Sequence, residues 1–232
     1  MPTIGFLHTA DVHVETFERL TAELAPGWVT RHLVDESLLA DARVGGVTPE
    51  ITERVRKRLA ELESAGTDVI LCTCSTIGEA AEKAGNARTA GTAGGETRMT
   101  AEKAGEDGKA RKVLRVDRPM AEAAVAAGPR IAVVAAVAST MEPTMALLRE
   151  SAARSGTAIT LIPEPCLSAW QHFESGDHDR YFDEIADHVR AIAGKADVVV
   201  LAQASMSPAA DRLIGLPVLT SPRTAVARAT AG

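Results

Sequence analysis

Residues 68–79, DVILCTCSTIGE, decide the fold. Val69, Ile70, Leu71 and Cys72 form an apolar run without polar alternation, the pattern of a parallel strand buried on both faces. Ahead of it, Thr48-Pro49 is a helix start, Ile51, Val55, Leu59 and Leu62 recur with helical spacing, and Gly66 follows as a stop. Behind it, Thr76-Ile77-Gly78-Glu79 fits a capping box that opens a helix over 77–84, ended by Gly85. Helix, buried strand and helix in that order call for right-handed crossovers and a parallel sheet covered on both faces, an α/β fold.

Working outward, Thr3 to Leu7 reads as the first strand, 14–24 as a helix and 28–34 as a second strand. The second half repeats the plan, with strands over 130–137, 158–162 and 197–201 and helices over 143–154 and 179–192. AGTDVILCTCST (65–76) lies on AGKADVVVLAQAS (193–205) with one inserted residue, so that Asp68 falls on Asp197 and Cys74 on Gln203. Ile4 to Thr9 likewise lies on Ile131 to Ala136. The chain therefore reads as two pseudo-symmetric, flavodoxin-like lobes, each a mostly parallel sheet with helices on both faces, with the active site expected in the cleft between them. The first lobe is assigned residues 1–112 and 206–232, the second 113–205. Pro119 sits in the first turn of the helix that opens the second lobe. Leu216 to Thr220 is expected to return to the first lobe as a last strand, closed by a short helix from Arg223. Within the first lobe, residues 85–112 hold Met99 as their only large apolar side chain, too little to offset ordering entropy, and are expected to be a flexible insertion.

The 232 residues are 46% hydrophobic but only 3% aromatic, which suits tight helix-on-sheet layers and requires no disulfide or structural metal. No apolar run approaches the roughly 20 residues that span a bilayer, and the N-terminus lacks the features of a signal peptide. A cytoplasmic protein without a membrane partner is expected. A net charge of -6, with Arg54, Arg56, Lys57 and Arg58 as a helix face, leaves no footprint for nucleic acid. The cysteines Cys72, Cys74 and Cys166 form neither a disulfide framework nor a zinc set with nearby histidines. No metal is expected.

Cys74 lies just past the carboxyl end of a buried strand, where open α/β sheets bind ligands. A thiol there meets a helix N-terminus and free N–H groups, both of which favour the thiolate. Ser75 and Thr76 add hydroxyls beside the same donors, a nest for a carboxylate or enediolate oxygen. Cys72, inside the apolar run, reads as a small core residue. The other strand ends contribute His8 and Thr9, then Ser139 and Thr140, then Gln203 and Ser205. Cys166 sits on a stiff Pro-flanked loop.

The stretch Ile70 to Thr76 resembles the first cysteine motif of the aspartate/glutamate (hydantoin) racemase superfamily. Val199 to Met206, followed by Leu216 to Pro222, is similar to the region of that family's second cysteine, and Ala135 to Pro143 resembles its second-lobe anion loop. The resemblance implies a homodimer that uses no cofactor, in which one cysteine removes the α-proton of a small carboxylate and the other returns a proton to the opposite face. This chain departs from the pattern, because Gln203 stands at the second cysteine and an amide does not exchange a proton at neutral pH. Three functions follow from the resemblance. One is a racemase or isomerase using Cys74, with His8, Cys166 or a water on Gln203 as substitute second group. Another is a one-cysteine decarboxylase of the arylmalonate type. The third is an inactive carboxylate-binding member.

Overall fold

Short apolar strands alternating with amphipathic helices build two separate parallel sheets. The structure, a computed structural model, describes residues 1–91 and 112–231. In chain order these form β1 (Thr3–His8), α1 (His13–Leu24), β2 (Val29–Val34), α2 (Glu36–Gly45), α3 (Pro49–Ser64), β3 (Val69–Cys72) and α4 (Ser75–Gly91). Then come β4 (Lys112–Arg115), α5 (Arg118–Ala127), β5 (Arg130–Ala135), α6 (Ala138–Ser155), β6 (Thr160–Pro165), α7 (Ala169–Glu174) and α8 (His178–Ile192). The chain closes with β7 (Val198–Leu201), a 3-10 stretch at Ala204–Arg212, β8 (Val218–Thr220) and α9 (Ser221–Thr230). The sheets run β2-β1-β3-β4 and β6-β5-β7-β8, all parallel. They belong to two compact units, Met1–Arg115 with Ala229–Gly232, and Val116–Arg228. The expected α/β fold of two parallel-sheet lobes is what forms. No helix of the described residues is long and apolar enough to cross a membrane.

The sequence repeat is repeated in the hydrogen bonds. The Asp68 N–H donates to Thr3 O and its carboxylate accepts from the Thr3 N–H; Asp197 and Arg130 do the same in the second unit. The Thr73 N–H donates to Leu7 O at 3.0 Å, and the Ala202 N–H to Val134 O at 2.9 Å. In this register Cys74 and Gln203 are equivalent, as are Thr9 with Ala136 and Ala10 with Val137. The inner strands β1, β3, β5 and β7 are buried on both faces, as continuous apolar strands require. Along β5, Ala132 and Val134 pack with Tyr181, Ile185 and Val189 of α8, while Ile131, Val133 and Ala135 pack with Met120 and Leu147. Each fully buried Val, Leu or Ile contributes roughly 1.5–3 kcal/mol. In the first unit Ile51, Val55, Leu59 and Leu62 of α3 cover β3, the stripe their spacing predicts.

Four expectations are corrected. Leu216 to Thr220 does not return to the first sheet. β8 pairs with β7, Val199 opposite Val218, and so covers the β7 edge as β4 covers that of β3, an edge that would otherwise stay unpaired. The boundary accordingly falls after Arg115 rather than at 112, and residues up to Arg228 stay with the second unit. Gly85 does not stop α4. A Cβ there would lie 2.5 Å from the Val113 Cβ, so the glycine serves close packing of helix on β4. α6 begins at Ala138 with Pro143 inside it, which places Ser139 and Thr140 in its first turn rather than in a loop. Of the expected insertion, residues 92–111 lie outside the described residues.

Candidate active site

Cys74 stands between the end of β3 and the first residue of α4, with 9% of its surface exposed. The helix starts two residues earlier than the capping box implied, and Glu79 pairs with Lys83 instead of capping. Its predecessor Thr73 is tied to the end of β1 through its N–H, and its hydroxyl lies 3.2 Å from Leu7 O and 3.0 Å from His8 Nδ1. His8 Nε2 in turn lies 2.9 Å from His32 Nδ1, and His32 Nε2 is 3.8 Å from Glu18 Oε1. The Thr73 hydroxyl donates to Leu7 O, which orients this chain: His8 Nδ1–H donates to the Thr73 oxygen, and His8 Nε2 accepts from His32 Nδ1–H. Phe6 stacks on both imidazoles, and Phe17 packs against the His8 ring. Burial, then the neighbouring His32 and His13, pushes His8 down to about 3.

His8 was expected in the binding pocket. It is fully buried with both nitrogens engaged, so it holds Thr73 in place and has no lone pair or proton left for a ligand. Thr9, Ser75 and Thr76 are buried at the same strand ends as Cys74. Sequence reasoning missed Arg115. This guanidinium, 3% exposed, lies at the end of β4 in register with Cys72, against the first turn of α4, where a Cβ on Gly78 would be 3.2 Å from its Nε. Gly78, a glycine in the first turn of the helical stretch, was its one sequence signal. Cys72 is fully buried in the core, as expected, its thiol directed at Cys74 O. Among the described residues no cluster of three or more His, Cys, Asp or Glu is placed to hold a metal.

In the second unit the Gln203 side chain bridges two strand ends: its Oε1 accepts from the Ala136 N–H at 2.7 Å and the Val137 N–H at 2.9 Å. Ser139 and Thr140 follow in the first turn of α6, Ser139 Oγ without a hydrogen-bond partner among the described residues and Thr140 buried. Ser205 was expected to face a ligand. It bonds instead to the buried Tyr181 hydroxyl at 3.0 Å, inside the core cluster that also holds Cys166. Burial and the Glu184 carboxylate push the Cys166 thiol up to about 11.

These environments rank the thiols. Iodoacetamide at pH 7 should modify Cys74 first, because Cys72 has no exposed surface and Cys166, 4% exposed, is held protonated. Peptide mapping after partial labelling reads the order. Earlier modification of Cys72 or Cys166 would overturn the assignment.

Two four-stranded parallel lobes of identical strand order, with polar groups gathered at the carboxyl ends of the inner strands, define the two-lobed racemase fold. An aspartate racemase from Picrophilus torridus matches with a TM-score of 0.67 at 14% identity, over 98% of this chain and 92% of that one. Allantoin racemase from Klebsiella pneumoniae matches with 0.58 at 16%, over 99% and 86%. Arylmalonate decarboxylase matches with 0.54 at 15%, over 100% and 93%. At such identities the likeness establishes the fold alone. No protein-family model and no curated protein matches the chain.

Proposed function

We propose that this chain is a cofactor-independent enzyme of the aspartate/glutamate racemase type that moves a proton at the α-carbon of a small carboxylate, with Cys74 as its acid/base group. The observation that carries the proposal is the placement of Cys74: a thiol at a strand end and helix start, held by the Thr73 and His8 bonds, beside the end of β1. Thr9, Ser75 and Thr76 are the groups we assign to the carboxylate, with the N–H groups of the α4 start. The homodimer implied by the resemblance is part of the proposal.

The chemistry is one-sided. The groups considered as substitutes for a second cysteine are unfit to exchange a proton near neutrality. His8 is pushed down to about 3, Cys166 is pushed up to about 11, and Gln203 is an amide bonded to two N–H groups. One thiol removing and returning a proton on a single face exchanges hydrogen without inverting the centre. The same observation favours, as a second reading, a one-cysteine decarboxylase, in which a single acid protonates the enediolate on one face.

In deuterated water, a panel of α-amino, α-hydroxy and α-aryl carboxylates should include a substrate whose α-hydrogen exchanges several-fold faster than its configuration inverts. Exchange coupled one-to-one to inversion would sink the lone-thiol mechanism. Turnover of an arylmalonate to one enantiomer selects the decarboxylase. Binding across the panel with neither exchange nor turnover leaves a carboxylate-binding protein.

A further inference from the structure

We propose that Gln203 is a built-in substitute for a ligand oxygen, filling the oxyanion seat of the second unit so that this seat admits no ligand carboxylate. Two adjacent backbone N–H groups converging on one oxygen at 2.7 and 2.9 Å is the geometry by which proteins hold carboxylates and oxyanions. Here the oxygen is supplied by the chain itself. Because that oxygen is spoken for, the Gln203 amide presents its NH2, a donor for a neutral carbonyl or hydroxyl.

The repeat shows what the vacant version looks like. Thr9 and Ala10 occupy in the first unit the places of Ala136 and Val137, and Cys74 occupies that of Gln203. A cysteine side chain is two atoms shorter than glutamine and carries no carbonyl. Among the described residues neither the Thr9 nor the Ala10 N–H has an acceptor. Thr9 is buried and Ala10 half-buried, and an N–H so placed without a protein acceptor is free to take a ligand oxygen. The chain thus has one open seat, beside the thiol, and one closed seat. A carboxylate brought to the β5 end finds both N–H groups taken and would lose hydration there without recompense. What the second unit can take at this strand end is an uncharged acceptor, a carbonyl or hydroxyl oxygen, on the Gln203 NH2. The open seat rests on the function proposed above; the closed seat does not.

Formate is the probe, read by amide resonances in labelled protein. In the natural chain formate should shift the Thr9 and Ala10 amides and leave Ala136 and Val137 unmoved. In Gln203→Met, which keeps bulk but removes the acceptor, Ala136 and Val137 should respond as well, with apparent affinity at that pair raised at least about tenfold, as expected for one charge-assisted hydrogen bond. Movement of Ala136 and Val137 in the natural protein, or silence in Gln203→Met, overturns the proposal. Should that variant fail to fold, hydrogen exchange of the natural protein decides. The Ala136 and Val137 amides must exchange at least about tenfold slower than those of Thr9 and Ala10 without ligand, and equal rates overturn the closed seat. If the second-unit amides behave as stated while Thr9 and Ala10 ignore formate, the closed seat stands and the Cys74 site fails.

Discussion

Replacing Cys74 by serine is expected to lower α-hydrogen exchange, or product protonation in the decarboxylase reading, by about 10²–10⁴-fold, the range that a positioned acid/base group supplies. The change removes one thing only. Sulfur and oxygen are close enough in size for a side chain with 9% exposure to keep its place, and the bonds that fix the turn belong to Thr73 and His8. A hydroxyl is a far weaker acid than a thiol and does not take up the role. Substrate affinity should change little, because the carboxylate is assigned to N–H groups and hydroxyls rather than to sulfur. Cys72→Ser and Cys166→Ser serve as controls. Both thiols lie in cores, so those variants should lose stability while keeping most of the exchange rate per folded molecule. Exchange by Cys74→Ser within threefold of the natural rate would remove Cys74 from the chemistry.

The strands and their order were legible because each buried strand is a short apolar run and the two halves repeat. The equivalence of Cys74 and Gln203 read from the alignment of 65–76 with 193–205 is the one the hydrogen bonds repeat. What stayed hidden depended on partners distant in sequence. Nothing local tells which sheet the Leu216 to Thr220 strand joins; that is settled by the open edge of β7. Gly85 carries the signature of a helix stop, but its lack of a side chain serves the close approach of Val113, on a strand the sequence left unassigned. β4 itself, Lys112–Arg115, mixes two cations with two apolar residues, and α2, with its modest apolar stripe, went unassigned. His8 was rightly placed at the tip of β1, but its partner His32 lies 24 residues away on β2, and only the sheet brings the rings together. For the same reason Ser205 looked available until Tyr181 was seen to reach it.

The imidazole pair gives the first unit an acid sensitivity that should appear as a loss of thermal stability between pH 7 and pH 4.5. In the folded chain His8 is held neutral, with burial and then the neighbouring histidines pushing it down to about 3, whereas in the unfolded chain it titrates near 6.5. Between those values the unfolded chain carries a proton that the folded chain refuses, so acidification favours unfolding. The contribution is complete above about pH 6.5, shrinks as pH falls through the window, and levels off below about 3. At pH 4.5 the loss from His8 alone is roughly 2–3 kcal/mol, or a Tm lower by roughly 5–10 °C. His32, also pushed down by burial against the opposing pull of Glu18, and His13, pushed down to about 4, act with the same sign. His8→Asn supplies a polar atom near the Nδ1 position that can still meet Thr73 but does not titrate. The variant should be less stable at pH 7.5 and lose less stability on acidification. Since the Thr73 tie also sets Cys74, α-hydrogen exchange should fall with the same pH midpoint as unfolding in the natural protein. A pH slope of Tm in His8→Asn as steep as that of the natural chain would show that the buried imidazole is not the group being protonated.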